Sequence, residues 1–443
     1  MDKLNHRERY RFVWPCILIV LVFGVIICVK VFAEVPRIAS EITITGNRLM
    51  VALRQEDGVL ADARPYIIKG LSWAAATKAP HEGLNPYAPE EDVAYGFFFN
   101  WPGRVPQGHE LFAYWFARQY KEYYATDIPL MKDMNVNTVR VYSHFGLEGE
   151  ADLRILDELY YNGIMVIITV ATSKEDLENS RYLEIVNMYK SHPAILMWSL
   201  GNEWNLERNK YYGYKTVSEA ALAIQNAALK IKEIDILHPV SSCLGDRFTD
   251  KVKENTIAAI LKKCPAVDIW GLNIYRNRSF RDLFQQWKEL SDKPMYISEF
   301  GTDSFNTKKY TCVNEFQAVE CSGVYDEDLQ ADFVIVLWDD ITKNLSAVDA
   351  DKICLGGLVH EFNDSLWKVG SYHVNLGGTV EYEDPDQGYS YEEYNTQGFV
   401  LIGGHPDDVA NEEYFGIVDA QRRPKKIFYE LKEYYEKLKS LEE

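Results

Sequence analysis

The chain has 443 residues, 47% hydrophobic and 26% charged, a composition that argues against a disordered polypeptide. Its net charge is −19. Residues 1–33 carry +3 and the remainder therefore −22, a surface that repels phosphate backbones and argues against nucleic acid as a partner.

The basic stretch MDKLNHRERYR leads into FVWPCILIVLVFGVIICV (12–29), 18 apolar residues without a polar break. Two readings fit. The run is long enough for a membrane-spanning anchor with its basic flank left inside. It also fits a signal-peptide core, with Val31-Phe32-Ala33 before Glu34 as a small-residue cleavage site. Either way residues 1–33 form a targeting segment, and the rest is exported: membrane-anchored through 12–29, or secreted.

Residues 34–65 form a linker with a β-hairpin. EITITGNRLMVALRQEDG (41–58) alternates apolar and polar residues around Gly46-Asn47, a two-residue hairpin turn. Eight short apolar runs follow: 66–73, 137–143, 164–170, 194–200, 239–244, 268–275, 294–300 and 357–362. Most are continuous rather than alternating, as in parallel strands covered on both faces. Helix-like spacing fills 110–134, 216–234, 253–263 and 278–291, and 428–440 closes the chain as a helix. This α/β pattern predicts a (β/α)8 TIM barrel over residues 66–443. No glycine-rich dinucleotide loop follows the first strand, which weighs against an open doubly wound sheet.

The excess length lies after strands one, seven and eight, on the face where barrels build their sites. The stretch 81–109, rich in Pro, Gly and aromatics, reads as a groove wall or as rim packing, and 370–411 as a further rim loop. Beyond the targeting segment stand Cys243, Cys264, Cys312, Cys321 and Cys354. Cys312 and Cys321 are near enough in sequence for a local disulfide. No C-x-x-C pair is present, so no zinc or redox cofactor is expected.

SHPAILMWSLGNEWN (191–205) ends an apolar strand directly on Asn202 and Glu203, and PMYISEF (294–300) ends on Glu299. The two glutamates are 96 residues apart, about three units of ~30 residues. Both project from one rim, across the mouth from each other. Cleavage of a glycosidic bond needs such a pair, one as proton donor to the leaving oxygen and one as anion at the anomeric carbon. A lone strand-end Glu is more often solvated than catalytic. The neighbours raise the odds. Asn202 can donate to a sugar hydroxyl. Arg140 ends strand two, where a buried guanidinium needs a partner such as Glu299. Tyr275 ends strand six, beside Glu299. His144 reads either as part of the sugar site or as a rim histidine. Trp204 and Trp367 read either as stacking platforms or as rim packing. Asp303 reads as a turn residue. Sequons stand at Asn277, Asn344 and Asn363.

KSHPAILMWSLGNE resembles the acid/base signature of glycoside hydrolase family 2, whose catalytic domain is a clan A (β/α)8 barrel. KPMYISEFG is similar to the clan's nucleophile strand, GLNIY to its tyrosine strand, and residues 411–435 to the family's barrel ending. NTVRVYS resembles the β-1,3-glucanosyltransferases of family 72. The likeness spans about residues 41–440. It implies a retaining mechanism with Glu203 as acid/base, Glu299 as nucleophile and a covalent glycosyl-enzyme intermediate, and it implies that Asn202 contacts the sugar 2-hydroxyl. Ser191 stands where the signature carries Asn, and His144 lies one residue after the family's histidine. The reading is a retaining glycosidase acting on a neutral β-linked oligo- or polysaccharide. The alternatives are a transglycosylase using the same residues and a non-catalytic, membrane-tethered glycan-binding barrel.

Overall fold

The structure, a computed structural model, describes residues 35–75, 109–146, 151–206, 212–306, 324–365 and 414–441. It also describes, as backbone alone, the short strands 17–22, 25–30, 313–315, 318–320, 388–389 and 410–411. Eight strands close a barrel: β1 (Ile68–Ser72), β2 (Thr138–Val141), β3 (Met165–Ala171), β4 (Ile195–Asn202), β5 (Val240–Gly245), β6 (Ile269–Asn273), β7 (Met295–Phe300) and β8 (Cys354–Val359). Every neighbour pair is parallel, and β8 pairs with β1 to complete the ring. The helices are α1 (His109–Asp133), α2 (Arg154–Tyr161), α3 (Arg181–Tyr189), α4 (Val217–Ile234), α5 (Ile257–Lys263), α6 (Leu283–Leu290), α7 (Glu327–Thr342) and α8 (Lys426–Lys439).

This is the expected (β/α)8 barrel, with boundary shifts that have local causes. Strand eight begins at Cys354 rather than 357. The helix expected over 253–263 is broken by Thr256, whose hydroxyl caps α5 by accepting from Ala259 N–H. The helix expected over 278–291 begins only at Leu283. Asn277 and Arg281 sit at left-handed φ of 66° and 55°, and Asp340 holds the turn between them by accepting from Ser279 and Phe280.

Two cores result from strand alternation. Outward-facing residues such as Val139, Val141, Trp198, Leu200, Leu272 and Ile297 join the helices in one large outer cluster. A smaller cluster fills the barrel interior and includes Ile68, Ile167, Leu196, Ile269 and Tyr296. The hairpin forms as expected, Glu41–Thr45 against Arg48–Ala52, with Gly46 at φ +61° in the turn. Its Ile42, Leu49 and Val51 belong to the interior cluster. Ser40 donates to Pro193 O, Ile42 N–H to Leu237 O and Arg48 to Ser346 O, all in segments that lead into strands. The hairpin is thus a plug at the foot of the barrel, each apolar side chain contributing about 1.5–3 kcal/mol by its burial.

No helix among the described residues is long and apolar enough to cross a membrane. Two short antiparallel strands, Ile17–Val22 and Val25–Lys30, are described in and just past the apolar run 12–29. Cys243, Cys264 and Cys354 are buried free thiols, and Cys312 and Cys321 lie outside the described residues. The stretch 81–108 and most of 370–411 also lie outside them. Asn363 is fully buried and donates to Asp364 O, which removes its sequon from the surface of the folded chain.

Candidate active site

Arg140 organises the mouth. It points inward from β2 and is 0% exposed. One guanidinium nitrogen lies 2.9 Å from Glu299 Oε1 and also donates to Ser298 O; the other donates to Asn202 Oδ1 at 2.7 Å. A single planar group therefore spans β4 and β7. Burial opposes its charge, yet its ionisable neighbours, the Glu299 carboxylate among them, outweigh burial and hold its pKa well above the ordinary arginine value.

Neither β4 nor β7 keeps its alternation to the end, and this aims the polar side chains at their ends. On β4, Trp198 and Leu200 face outward, so strict alternation turns Asn202 outward as well. Gly201 takes φ +82° and the register against β5 slips: Ser199 lies opposite Ser241, and Asn202 opposite Cys243. Asn202 turns inward to Arg140, and Glu203 follows at φ +51°. On β7, Ile297 faces outward, and alternation predicts the same for Glu299. The register against β6 slips between Leu272 and Asn273, which brings Asn273 opposite Glu299 and turns the carboxylate into the mouth. Irregular strand ends of this kind re-aim a side chain.

Glu299 receives three donors. Arg140 and Tyr142 both meet Oε1, at 2.9 and 2.5 Å, and Tyr275 donates to Oε2 at 3.3 Å. Burial, followed by the charge of Glu299, pushes the Tyr142 hydroxyl well above its ordinary pKa, so it stays protonated and remains a donor. His360, just past β8, places Nδ1 4.0 Å from Glu299 Oε2 and 2.9 Å from Ser72 Oγ. Across the mouth, Asn202 Oδ1 accepts from both Arg140 and Asn273, the latter at 3.0 Å. With its oxygen taken twice, the amide NH2 is what Asn202 has to offer a ligand. Glu203 and Glu299 are each almost covered, 5% and 6% exposed.

The structure thus brings Arg140, Asn202, Glu203, Tyr275 and Glu299 to one mouth. Of the other candidates that are described, Trp204 and His144 are not brought there. Trp204 is 0% exposed, packs over Gly201 and donates to Ser242 Oγ at 2.9 Å, so it is core rather than a stacking platform. His144 faces away, toward Tyr189 of α3. Its Nδ1 accepts from Gly146 N–H, and burial lowers its pKa to about 4. It is a buried rim histidine. Trp367 lies outside the described residues. Asp303 is the expected turn residue, accepting from Phe305 N–H.

Tyr142, Asn273, His360 and Ser72 also join the site. Tyr142 and Asn273 were within reach of sequence reasoning: each is two positions from an expected site residue, on the same face of its strand. His360 and Ser72 carry no such signal: the pairing of β8 with β7 brings His360 beside Glu299, and ring closure between β8 and β1 brings Ser72 to His360.

A closed barrel with two glutamates at the mouth ends of β4 and β7 is the architectural class that glycoside hydrolases of clan A share. Residues 120–357, more than half of the chain, match the family described as glycosyl hydrolases family 2, TIM barrel domain, and the chain belongs to that family. A 1,3-beta-glucanosyltransferase of Saccharomyces cerevisiae is 23% identical over 263 residues, 51% of this chain and 50% of its own. Among solved structures, a beta-glucuronidase of Bifidobacterium dentium is similar at a TM-score of 0.49 and 15% identity, covering 90% of this chain and 49% of that one. A GH2 beta-galacturonidase of Eisenbergiella tayi is similar at a TM-score of 0.48 and 17% identity, covering 90% and 54%. The chain spans about half the length of these relatives.

Proposed function

We propose that this chain is a retaining glycosidase for a neutral β-linked glycan, with Glu299 as nucleophile and Glu203 as acid/base. The observation that carries the reading is the convergence of Arg140, Tyr142 and Tyr275 on Glu299, all of them donors. A carboxylate so surrounded is an anion ready to attack, which leaves the proton-transfer role to Glu203 across the mouth. In the first step Glu299 bonds to the anomeric carbon while the bond to the leaving oxygen breaks and Glu203 gives that oxygen its proton. In the second, water attacks the anomeric carbon, Glu203 takes the water's proton, and the ester to Glu299 breaks. The Asn202 amide faces the substrate as a donor, suited to the 2-hydroxyl. The Arg140 cation is turned to Glu299 and Asn202 rather than to a ligand, which supports a neutral sugar over a charged one.

Glu299→Gln is expected to abolish turnover of aryl β-glycosides and β-glucans by residues 34–443. Glu203→Ala is expected to retain turnover only where the leaving group needs no proton. Full activity in Glu299→Gln would sink the assignment.

The glucanosyltransferase relative favours a second reading, in which a sugar hydroxyl replaces water in the second step. Products longer than the donor, formed on a defined acceptor, distinguish transfer from hydrolysis. For location, the unbroken apolar run 12–29 behind a basic flank supports export. Recovery of the full chain in a membrane fraction, with the barrel open to added protease from outside, tests it.

A further inference from the structure

The slip that aims Asn202 into the mouth leaves it opposite Cys243 of β5, while on its other side the ladder to β3 ends at Leu200. The neighbouring bond to β5 is made by Glu203, whose N–H donates to Cys243 O at 3.0 Å. The N–H and C=O of Asn202 need another partner, since buried backbone groups are rarely left unmet. Tyr212 supplies both. Its hydroxyl accepts a short hydrogen bond from Asn202 N–H and donates to Asn202 O at 2.9 Å. The two peptide planes that flank Asn202 are thereby fixed by one oxygen. The second of those planes leads directly into Glu203, which holds a left-handed φ of 51° that costs a non-glycine residue about 1 kcal/mol or more. Cys243 O and Leu206 N–H hold the backbone of Glu203 itself, and Tyr212 holds the peptide that leads into it.

We propose that Tyr212 is a positioning residue for the acid/base: by clamping the Asn202 backbone it sets the direction in which Glu203 presents its carboxyl. This rests on the assignment of Glu203 above. Burial keeps the Tyr212 hydroxyl protonated, its pKa well above the ordinary tyrosine value, so the donor to Asn202 O persists across the working range. The loop that carries it is shaped for the task, with Tyr212 at φ 55° and Gly213 at φ 86° turning the ring back under β4.

The test is Tyr212→Phe, which keeps the ring and removes the hydroxyl, measured on aryl β-glycosides of graded leaving-group acidity. A misdirected acid matters most where the leaving oxygen needs a proton. Loss of kcat/KM is expected to be about tenfold to a hundredfold on poor leaving groups and small on activated ones. A structural defect alone lowers both equally. On a Glu203→Ala background the Tyr212→Phe change is expected to have no further effect, because the group it positions is gone. Gly213→Ala, which has room for its Cβ but strains a left-handed residue, is expected to give the same leaving-group signature in milder form if Tyr212→Phe does not fold. Equal losses across leaving groups, or full additivity with Glu203→Ala, overturn the proposal. If Glu203→Ala itself spares poor leaving groups, the assignment of the acid fails instead.

Discussion

At the scale of single residues, two histidines and a tryptophan mark the line between a site and its support. His144 and Trp204 each read either as part of the sugar site or as rim packing, and their burial favours packing for both. For His144 that burial makes a prediction. Its pKa is about 4 in the folded chain against an ordinary value of 6.5. Between those values the unfolded chain takes a proton that the folded one refuses, so stability falls as pH drops through that window. The full shift corresponds to about 3 kcal/mol. Denaturant unfolding at pH 7 and pH 5 is expected to show this loss in the parent. His144→Asn, whose Oδ1 can stand in for Nδ1 as acceptor of Gly146 N–H, is expected to lose less by about 2 kcal/mol over that interval. An identical decline in the variant removes His144 as the cause. His360 is the opposite case. Nothing in its local sequence distinguishes it, yet it stands beside the proposed nucleophile.

At the scale of elements, most of the barrel was legible because its strands are continuous apolar runs at regular intervals, and Asn202-Glu203 and Glu299 stand out as polar ends. What the sequence does not carry is which way those ends point. Alternation turns Asn202 and Glu299 outward, and only the slips against β5 and β6 turn them in. Helix starts were misplaced for a related reason: Thr256 and the Asn277–Arg281 turn act through capping and backbone angle, which periodicity ignores. The seam between β8 and β1 has its own requirement. Gly356 holds φ +128°, and a Cβ there would sit 2.2 Å from Ile68 O on the partner strand. Gly356→Ala is expected to cost about 3 kcal/mol or more from strain and overpacking together. Gly46→Ala, also at positive φ but with nothing within 4 Å, is expected to cost about 1 kcal/mol. Thermal unfolding of the two variants side by side checks the contrast. Similar melting temperatures would show that the seam tolerates a side chain.

At the scale of the whole molecule, the C-terminal segment is fastened across the mouth side by two buried ion pairs. Arg422 lies 2.9 Å from Asp127 of α1, which also accepts from Trp73 Nε1, and Lys425 lies 2.6 Å from Asp364. Ahead of these fastenings in the chain, Phe415 meets both Tyr275 and His360, so the segment bears directly on the site. Arg422→Ala removes the cation from the buried Asp127 carboxylate, an expected cost of about 3–5 kcal/mol, and denaturant unfolding reads it. Asp127→Asn on that background is expected to return part of the loss, since it removes the stranded charge. No recovery would place the cost in lost packing over Tyr123, which the guanidinium covers at 4.4 Å. None of this was legible in advance, because the partners are up to 295 positions apart.

The plug at the foot of the barrel has an orientational consequence. The described chain enters there, with Arg37 bound to Asp157 and Ser40 to Pro193, while Glu203 and Glu299 open at the other end. A chain held at Val35 would be held at the closed end of the barrel, with the mouth that carries Glu203 and Glu299 turned away from whatever holds it.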